Sequence, residues 1–411
     1  MTQVEILAGS CSIGGNFVRI EEKDKVLVFD QGIRFDVMAN YYSSYITPRG
    51  IAELRDLGVL PKANWYENVD CIYISHMHLD HLGALSNIPF ETELLLPNLS
   101  IYNAMEERWR SSPTWLSLIP RKYYLKVEEI KPCEVDKNDV IAIPVSHSAW
   151  PAYAFLYFGA DRTILYTGDF RDESFLSEDE FFDLNGGADL LTYFEENSDI
   201  RVDTLIIEGT NIGSSRPPIT PDDTIKILKK LFSSHKSIIA TLHGLDLEYA
   251  HTLIKLSEEF NLNCYLASHQ IVKLIEKIPE LPEVMVIDDY LDELVSFERV
   301  LLDDIHPNSL ILVSYREVID LLRDLSSLDL TEDLVAILSE PEPEKEEGFE
   351  YGIISNWFSK FGLQYYRIRA SGHYYPYALK SILQKIRPKD ITPIHSANPR
   401  LLVNLAKRSQ S

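Results

Sequence analysis

The densest group of chemically active side chains lies in the segment SHMHLDH, at residues 75–81. It offers four metal-binding groups within six residues, namely His76, His78, Asp80 and His81. The segment follows an apolar run that is typical of a buried strand. Because alternate residues of an extended chain project to the same side, the first two histidines can bind one ion, and the aspartate and the last histidine then face a second ion. A histidine-rich surface loop is the alternative, and the buried strand before the segment argues against it.

Three further candidate ligands lie where other predicted strands end. His147 follows the apolar run 140–145, Asp169 stands in the segment TGDFR, and His395 stands in TPIHS. A lone histidine at a strand end is more often structural, but a carboxylate in this position can bridge two cations. Imidazoles and carboxylates without thiolate suit Zn²⁺ and also admit Mn²⁺. The sequence therefore predicts a centre for two divalent ions, with Zn²⁺ preferred.

The elements that must position these ligands follow two patterns. Short apolar runs such as Lys25–Phe29 and Thr163–Tyr166 recur over residues 1–209, with helices between them. Over residues 210–368, helical and strand-like stretches alternate, which predicts an inserted α/β unit with a mostly parallel sheet. Residues 369–411 return to the pattern of the first part. We therefore expect an α/β protein in which 369–411 completes the domain that 1–209 begins.

The composition is that of a globular protein without a membrane anchor or a disulfide framework. Of the 411 residues, 45% are hydrophobic and 25% are charged, which allows a full core. The four cysteines lie far apart and form no CxxC pair, so a cysteine zinc site is not expected and a reducing compartment is indicated. The N-terminus has no signal-peptide pattern, and no apolar run approaches the ~18 residues of a membrane span. We expect a cytoplasmic protein with no membrane partner.

With these motifs, the chain resembles the metallo-β-lactamase superfamily, whose fold is an αββα sandwich. The resemblance covers most of the chain. It implies a dinuclear centre bridged by Asp169, with one ion held by His76, His78 and His147 and the other held by Asp80, His81 and His395. Asp30, in the segment FDQG, matches the aspartate that supports this site from behind. A turn-forming aspartate would produce the same local pattern.

Three features resemble the β-CASP nuclease group of that superfamily. They are the long inserted α/β unit, Glu208 at the end of an apolar run in IIEGT, and His373 in ASGHY. In that group an acidic residue opens the insert, a histidine closes it, and a final histidine such as His395 resembles the RNA-processing members. The segments GSCSIGGN and TGDFR are similar to those of ribonuclease J-like proteins. The segments EGTN and HYYP depart from the usual pattern of the group, which leaves exonuclease and endonuclease action open.

The resemblance implies hydrolysis of RNA phosphodiester bonds, with 5′–3′ exonuclease action as the first expectation and endonuclease action left open. Two bound ions would supply a hydroxide nucleophile and neutralise the phosphate oxygens, and Asp80 would orient that hydroxide. We hypothesise that His373 contacts the scissile phosphate and protonates the leaving 3′-oxygen, while Glu208 holds the imidazole in the productive tautomer. A capping or salt-bridged carboxylate is the alternative for Glu208, and a turn histidine is the alternative for His373.

Five residues are candidates for contacts to a single-stranded RNA substrate, namely Ser371, Gly372, Tyr374, Arg171 and Arg49. The serine and glycine suit a phosphate cradle, and the tyrosine suits base stacking. Core packing and surface salt bridges are the ordinary alternatives. The competing functions are a DNA nuclease of the same group, a small-molecule metallo-hydrolase and a non-catalytic scaffold. A non-catalytic scaffold is disfavoured because all seven candidate ligands are present. Whether the protein forms a homodimer is left open.

The formal net charge of −24 is distributed unevenly. By itself it argues against a nucleic-acid binder, since phosphate affinity usually comes from a basic surface. Residues 371–411, however, contain seven lysines and arginines against one aspartate, a net charge of +6. Bound cations would also neutralise the ligand carboxylates. We therefore expect RNA binding that is local to the metals and to the basic segment 371–411.

Overall fold

A computed structural model describes the chain except for residues 24, 44, 90, 112–124, 291–295, 316, 328–333, 340–347 and 411. The chain forms two compact units. The first unit comprises Met1–Glu173, Ser177–Pro217 and Gly372–Ser411, and the second comprises Ser174–Leu176 and Pro218–Ser371. Both units contain helices and strands, so the predicted α/β class is confirmed. The second unit covers most of the 210–368 range, whose assignment as an inserted domain stays a prediction.

Two sheets and eight α-helices are the main elements of the described part of the first unit. Its strands are β1 (Gln3–Ala8), β2 (Phe17–Glu22), β3 (Lys25–Phe29), β4 (Cys71–Tyr73), β5 (Glu93–Leu96), β6 (Lys126–Glu129), β7 (Val140–Pro144), β8 (Tyr153–Phe158), β9 (Thr163–Tyr166), β10 (Thr204–Glu208) and β18 (Asp390–Ile394). Its helices are α1 (Phe35–Met38), α2 (Ile51–Asp56), α3 (Leu79–Leu82), α4 (Leu99–Ser111), α5 (Glu178–Asn185), α6 (Leu190–Glu196), α12 (Leu379–Ile386) and α13 (Pro399–Gln410).

The two sheets of the first unit pack face to face. Their described strand orders are β1-β2-β3-β4-β5-β6 and β18-β10-β9-β8-β7. Side chains of both sheets share one apolar core, in which the rings of Phe29 and Phe155 lie 5.1 Å apart. Strand β10 shows how alternation builds the layers: Ile206 faces this core, whereas Leu205 and Ile207 face a second core with α6, α12 and α13. A strand covered on both faces is continuously apolar, as the sequence of β10 is.

Three predicted ligands, His147, Asp169 and His395, follow strands whose carboxyl ends meet at one edge of the second sheet, whereas the segment 75–81 follows β4 of the first sheet. Strands β9, β10 and β18 are parallel neighbours, and Ile206 pairs with both Tyr166 and Thr392. Strand β7 runs in the same direction as β9, because β8 is antiparallel to both. The carboxyl edge of parallel strands is where α/β sheets commonly bind ligands. The topology thus brings strand ends that are distant in sequence to one place.

The second unit is built on a parallel sheet. Its described strand order is β14-β13-β12-β15-β11-β16-β17, with the strands Ser237–Leu242 (β11), Asn263–Leu266 (β12), Val284–Ile287 (β13), Glu298–Val300 (β14), Ser309–Ser314 (β15), Leu334–Leu338 (β16) and Gln364–Arg367 (β17). The helices are Pro221–Ser234 (α7), Leu247–Glu259 (α8), His269–Ile275 (α9), Val318–Ser327 (α10) and Gly348–Lys360 (α11). Among the described residues of the whole chain, no helix has the length and apolar character needed to cross a bilayer.

Candidate metal centre

One group of candidate ligands consists of three imidazoles, those of His76, His78 and His147. The Nε2 atom of His76 lies 3.1 Å from Nδ1 of His78, and Nε2 of His147 lies 3.2 Å from that same atom. Tetrahedral zinc with Zn–N bonds of about 2.0–2.1 Å places neighbouring ligand nitrogens about 3.3 Å apart. The three nitrogens therefore already have the spacing that a shared ion requires.

A second group consists of Asp80, His81 and His395. The Nε2 atom of His395 lies 3.1 Å from Oδ2 of Asp80, and Nε2 of His81 lies 3.8 Å from the same oxygen. The division of the segment 75–81 between two groups has a local cause. His78 is the last extended residue before the short helix α3, so the chain turns between His78 and Asp80 and directs the two pairs of ligands differently.

Asp169 lies between the two groups. Its Oδ2 atom is 3.1 Å from Nε2 of His81, 3.5 Å from Nε2 of His395 and 3.9 Å from Nε2 of His76. Its other oxygen, Oδ1, is buried and has no hydrogen-bond partner among the described residues. A buried carboxylate oxygen in that state is unfavourable unless a cation neutralises it. The donor set therefore fits divalent ions, while their number and identity stay predictions.

Asp30 is fully buried behind His81. The Nδ1–H group of His81 donates to Oδ2 of Asp30 over 2.7 Å. The carboxylate also accepts from the backbone N–H and the hydroxyl of Ser75, each over 2.7 Å, and from the Tyr166 hydroxyl. A partner on Nδ1 fixes the tautomer and leaves the lone pair on Nε2, the atom that faces Asp169. Tyr166 and Ser75 are parts of this support that sequence reasoning missed.

Two other imidazoles are held from behind by groups that the sequence did not indicate. The Nδ1–H group of His147 donates to the Gly372 carbonyl oxygen over 2.6 Å. The Nδ1 atom of His395 shares a hydrogen bond of 2.8 Å with the Thr210 hydroxyl. In both rings Nε2 is then the nitrogen that faces the candidate ion. A backbone carbonyl group has no signature in the sequence, so the support of His147 could not be predicted. Thr210 belongs to the segment EGT that contains Glu208, and its place in that segment was the only hint that it supports His395.

The electrostatics of four ligands favour the protonation states that a metal needs, whereas the carboxylates of Asp169 and Asp80 outweigh burial and raise the pKa of His81 and His395. Burial lowers the pKa of His76 and His147 well below the ordinary value, with the neighbouring imidazoles adding to the effect. Burial also lowers the pKa of His78 to about 4. For Asp80, burial would raise the pKa, but His81 and His395 outweigh it and lower the pKa to about 2. Neutral imidazoles and an ionised carboxylate are the forms that bind cations.

Gly32 allows the loop that carries Asp80 to approach closely. A Cβ atom at position 32 would lie 1.5 Å from the Asp80 carbonyl oxygen. Two backbone bonds show the same contact from the other side: Ile33 N–H donates to the Leu79 carbonyl over 3.1 Å, and Gln31 N–H donates to the His81 carbonyl over 2.7 Å. Because the obstacle is backbone, no side-chain movement can make room for a larger residue.

Glu208 and His373 form a pair beside the candidate metal centre. The Nδ1–H group of His373 donates to Oε1 of Glu208 over 3.0 Å, and Oε2 of Glu208 accepts from the Thr210 N–H over 2.8 Å. Glu208 is fully buried, whereas the His373 side chain keeps 16% of its surface exposed. The Nδ1 atom of His373 is also 3.9 Å from Oδ2 of Asp169. The predicted roles of this pair stay predictions.

The side chain of Asn211, which sequence reasoning missed, fixes the backbone around His373. Its amide group donates to the carbonyl oxygens of His373 and Tyr374, each over 3.1 Å. The Tyr374 hydroxyl in turn donates to the Glu208 carbonyl over 2.8 Å. The segment EGTN therefore has a structural use in this chain.

The predicted substrate-contact residues lie in different settings. Arg171 is buried, and its guanidinium group donates to the Ser146 hydroxyl and to the His147 carbonyl oxygen. Tyr374 is buried against Phe170, with ring centres 5.2 Å apart. The structure thus shows supporting contacts for both residues, and their contacts to substrate stay predictions.

The remaining three substrate candidates are Arg49 and the consecutive residues Ser371 and Gly372. Arg49 is exposed in the first unit. Gly372 lies against His147, where an added Cβ atom would be 2.9 Å from the imidazole Cε1 and 2.4 Å from the Ser148 hydroxyl. Ser371 is the last residue of the second unit and is partly buried. Their substrate contacts stay predictions.

The fold and the site together define an α/β protein with a candidate centre for divalent cations. No family model matches the chain. Among solved structures, the chain is similar to a protein of unknown function from Enterococcus faecalis V583, with a TM-score of 0.73, 19% identity, and coverage of 97% of this chain and 95% of that chain. At this identity the similarity shows the fold alone.

The sequence is also similar to proteins named ribonuclease J. The relative from Mycolicibacterium smegmatis is 22% identical over 427 residues, and that from Mycobacterium tuberculosis strain H37Rv is 22% identical over 429 residues. Each alignment covers 98% of this chain and 70% of the relative. The ribonuclease J of Pyrococcus abyssi is 31% identical over 90 residues, which are 21% of this chain. These similarities support the ribonuclease J-like resemblance found in the motifs.

Proposed function

We propose that this protein is a metal-dependent ribonuclease of the ribonuclease J type. The proposal includes the αββα metallo-β-lactamase architecture with an inserted β-CASP unit, and hydrolysis of single-stranded RNA. The observation that carries it is that the folded chain brings the seven candidate ligands together, with the Glu208–His373 pair beside them. The similarity to proteins named ribonuclease J over 98% of the chain supports the choice of RNA.

The candidate metal centre fits the first requirement of phosphodiester hydrolysis. Two divalent ions would supply an activated water and would neutralise the phosphate charge. Asp169 lies close to both groups of candidate ligands and would hold the two ions at a fixed separation. Asp30, the Gly372 carbonyl and Thr210 keep the rings of His81, His147 and His395 oriented, so the site needs little rearrangement when it binds cations.

The Glu208–His373 pair fits the second requirement, a proton for the leaving group. With Nδ1–H committed to Glu208, the Nε2 atom of His373 is the nitrogen that can hold and transfer a proton. The 16% exposure of the His373 side chain lets it reach a bound molecule. In the proposed mechanism, His373 contacts the scissile phosphate and protonates the departing 3′-oxygen, and Glu208 acts through His373 as a positioning residue.

The test is a time course with short RNA and DNA oligonucleotides that carry either 5′-phosphate or 5′-hydroxyl ends, with Zn²⁺ or Mn²⁺ added. We expect stepwise release of mononucleotides from 5′-phosphorylated RNA and no turnover by an Asp169→Asn variant. If only internal fragments appear, the protein acts as an endonuclease and the exonuclease assignment is refuted. Faster turnover of DNA would favour the DNA nuclease, and an absence of RNA turnover with either metal would refute the proposal.

A further inference from the structure

Two tyrosines next to His373 form a stacked pair at the surface of the first unit. The rings of Tyr375 and Tyr377 have centres 5.9 Å apart and planes inclined by 16°. Tyr377 is 56% exposed, and Tyr375 is partly buried. An exposed tyrosine ring offers a partner both an apolar face and a polar hydroxyl. Tyr374, which lies between His373 and this pair in the sequence, is buried in the core, whereas Tyr377 is exposed to solvent.

The backbone holds the pair in a defined place. Tyr374 is anchored by its N–H, which donates to the Phe170 carbonyl over 2.7 Å, and by its hydroxyl on Glu208. The Ala378 N–H donates to the Tyr375 carbonyl over 2.9 Å and closes the turn. Pro376 between the two tyrosines restricts the backbone further. A rigid aromatic platform loses little entropy when a ligand stacks on it.

We propose that Tyr377, supported by Tyr375, stacks against a base of the RNA close to the scissile bond. This inference rests on the proposed function. Four residues of chain reach at most about 14 Å, so Tyr377 lies within a few nucleotides of His373. A base has two π-faces and stacks on tyrosine with little dependence on sequence. The exposed Lys380, one turn further on, adds a cation for the sugar-phosphate backbone.

The experiment compares two substrates of Tyr377→Ala: a single-stranded RNA, and an oligomer of the same length made of stable abasic ribose phosphates. We expect kcat/KM for RNA to fall about 5- to 100-fold, mainly through KM, and kcat/KM for the abasic oligomer to stay within about twofold of wild type. Tyr377→Phe keeps the ring and should restore RNA turnover. Phe182→Ala, which removes another aromatic side chain with 54% exposure in the same unit, is the control and should leave both substrates unaffected.

Unchanged RNA turnover by Tyr377→Ala would overturn the proposal, and so would a parallel loss on the abasic oligomer, because that loss would indicate a structural role. A failure of the proposed ribonuclease function can be distinguished from a failure of the stacking proposal. If the wild-type protein does not cleave RNA, binding of an RNA that contains 2-aminopurine is measured with a chelator present. Fluorescence quenching that Tyr377→Ala loses would support the stacking site, and equal quenching in both proteins would refute it.

Discussion

The Nδ1–H group of His373 donates to Glu208, and in the proposed mechanism Nε2 is the nitrogen that transfers the proton. We expect His373→Ala to lower kcat on RNA by about 10²- to 10⁴-fold, the usual contribution of a general acid, and Glu208→Gln to have a smaller effect in the same direction. Metal content per chain should stay unchanged in both variants. The exposed His306 offers a control, His306→Ala. RNA cleavage by His373→Ala within a few-fold of wild type would contradict the assigned role.

Asp30 orients His81 from a position 51 residues away in the chain. We expect Asp30→Asn to weaken metal binding about 10- to 100-fold, because the amide cannot neutralise and orient the imidazole as the carboxylate does. Asparagine tolerates the left-handed backbone of this residue, whose φ is 60°, so the fold should survive. Titration with Zn²⁺ and a competing chelator measures the change. Asp36→Asn, which replaces an exposed aspartate, should bind metal as wild type does.

Asp172 adds a pH dependence to the first unit. Burial raises the pKa of its carboxyl group to about 6, above the ordinary value near 4. The folded state then binds this proton more tightly than the unfolded state, so the ionised carboxylate destabilises the fold increasingly as the pH rises from about 4 to above 6. We expect Asp172→Asn to raise the denaturation midpoint at pH 7.5, and the gain to shrink towards pH 4.5. A gain that is equal at both pH values would exclude this explanation.

At the scale of elements, helix α7 begins with a complete capping box. The Thr220 hydroxyl accepts from the Asp223 N–H, and the Asp223 carboxylate accepts from the Thr220 N–H. Pro221 occupies the first helical turn, where its missing N–H has no helical partner. The sequence contained this signal in full, because capping depends on residues three apart.

The capping box gives a test of local stability in the second unit. We expect Thr220→Ala to reduce the free energy of unfolding by about 1 kcal/mol and to increase amide hydrogen exchange at the start of α7. Ser233→Ala in the last turn of the same helix is the matched control, because the Ser233 hydroxyl only donates to the Lys230 carbonyl. Equal effects of the two substitutions would show that the cap is not responsible.

The pairing of strands in the first unit determines where Glu208 and His395 lie relative to each other. Strand β10 pairs with β18 so that Glu208 lies opposite Ile394, which places Glu208 and His395 at the same edge although 187 positions separate them. A register shift by one residue would reverse the faces of β10 and bury the wrong side chains. The alternation of Ile206 with Leu205 and Ile207 between two cores therefore fixes the site as well as the fold.

At the scale of the whole molecule, part of the basic charge in 371–411 is used within the first unit. Lys385 pairs with Glu195 at 2.9 Å, Lys389 pairs with Asp203, and Arg387 donates to the Ser198 carbonyl. The net charge of +6 in this segment therefore overstates the positive charge that a phosphate would meet. We therefore expect RNA affinity to depend only weakly on salt concentration.

Metal removal should act on one unit more than on the other. All candidate ligands belong to the first unit, and ligands that bind only the folded state stabilise it. We expect a chelator to increase hydrogen exchange in peptides around residues 75–81 and 395, and to leave peptides of α8 unchanged. Readdition of Zn²⁺ or Mn²⁺ should restore protection. An equal increase in both units, or none in either, would contradict a metal centre that stabilises the first unit.

The sequence by itself determined the α/β class, the strand ends and the identities of the side chains that converge on the site. These follow from local patterns, since apolar periodicity encodes burial and a polar residue after a buried strand lies at the edge of a sheet. The short spacing of His76, His78, Asp80 and His81 was sufficient to predict two groups of ligands. No pattern of this kind exists for the Gly372 carbonyl, and the segment FDQG indicated a supporting role for Asp30 through the family resemblance without indicating that its partner is His81.

Only the tertiary structure decided which groups hold the imidazoles, that Tyr374 and Arg171 are buried, and that Tyr375 and Tyr377 stack at the surface. These facts depend on contacts between residues far apart in the chain, and on backbone groups that every residue shares. They arise because packing the sheets in register brings specific carbonyl, hydroxyl and carboxylate groups within hydrogen-bond distance. The chemistry of the site is thus encoded locally, whereas its orientation is a property of the folded chain.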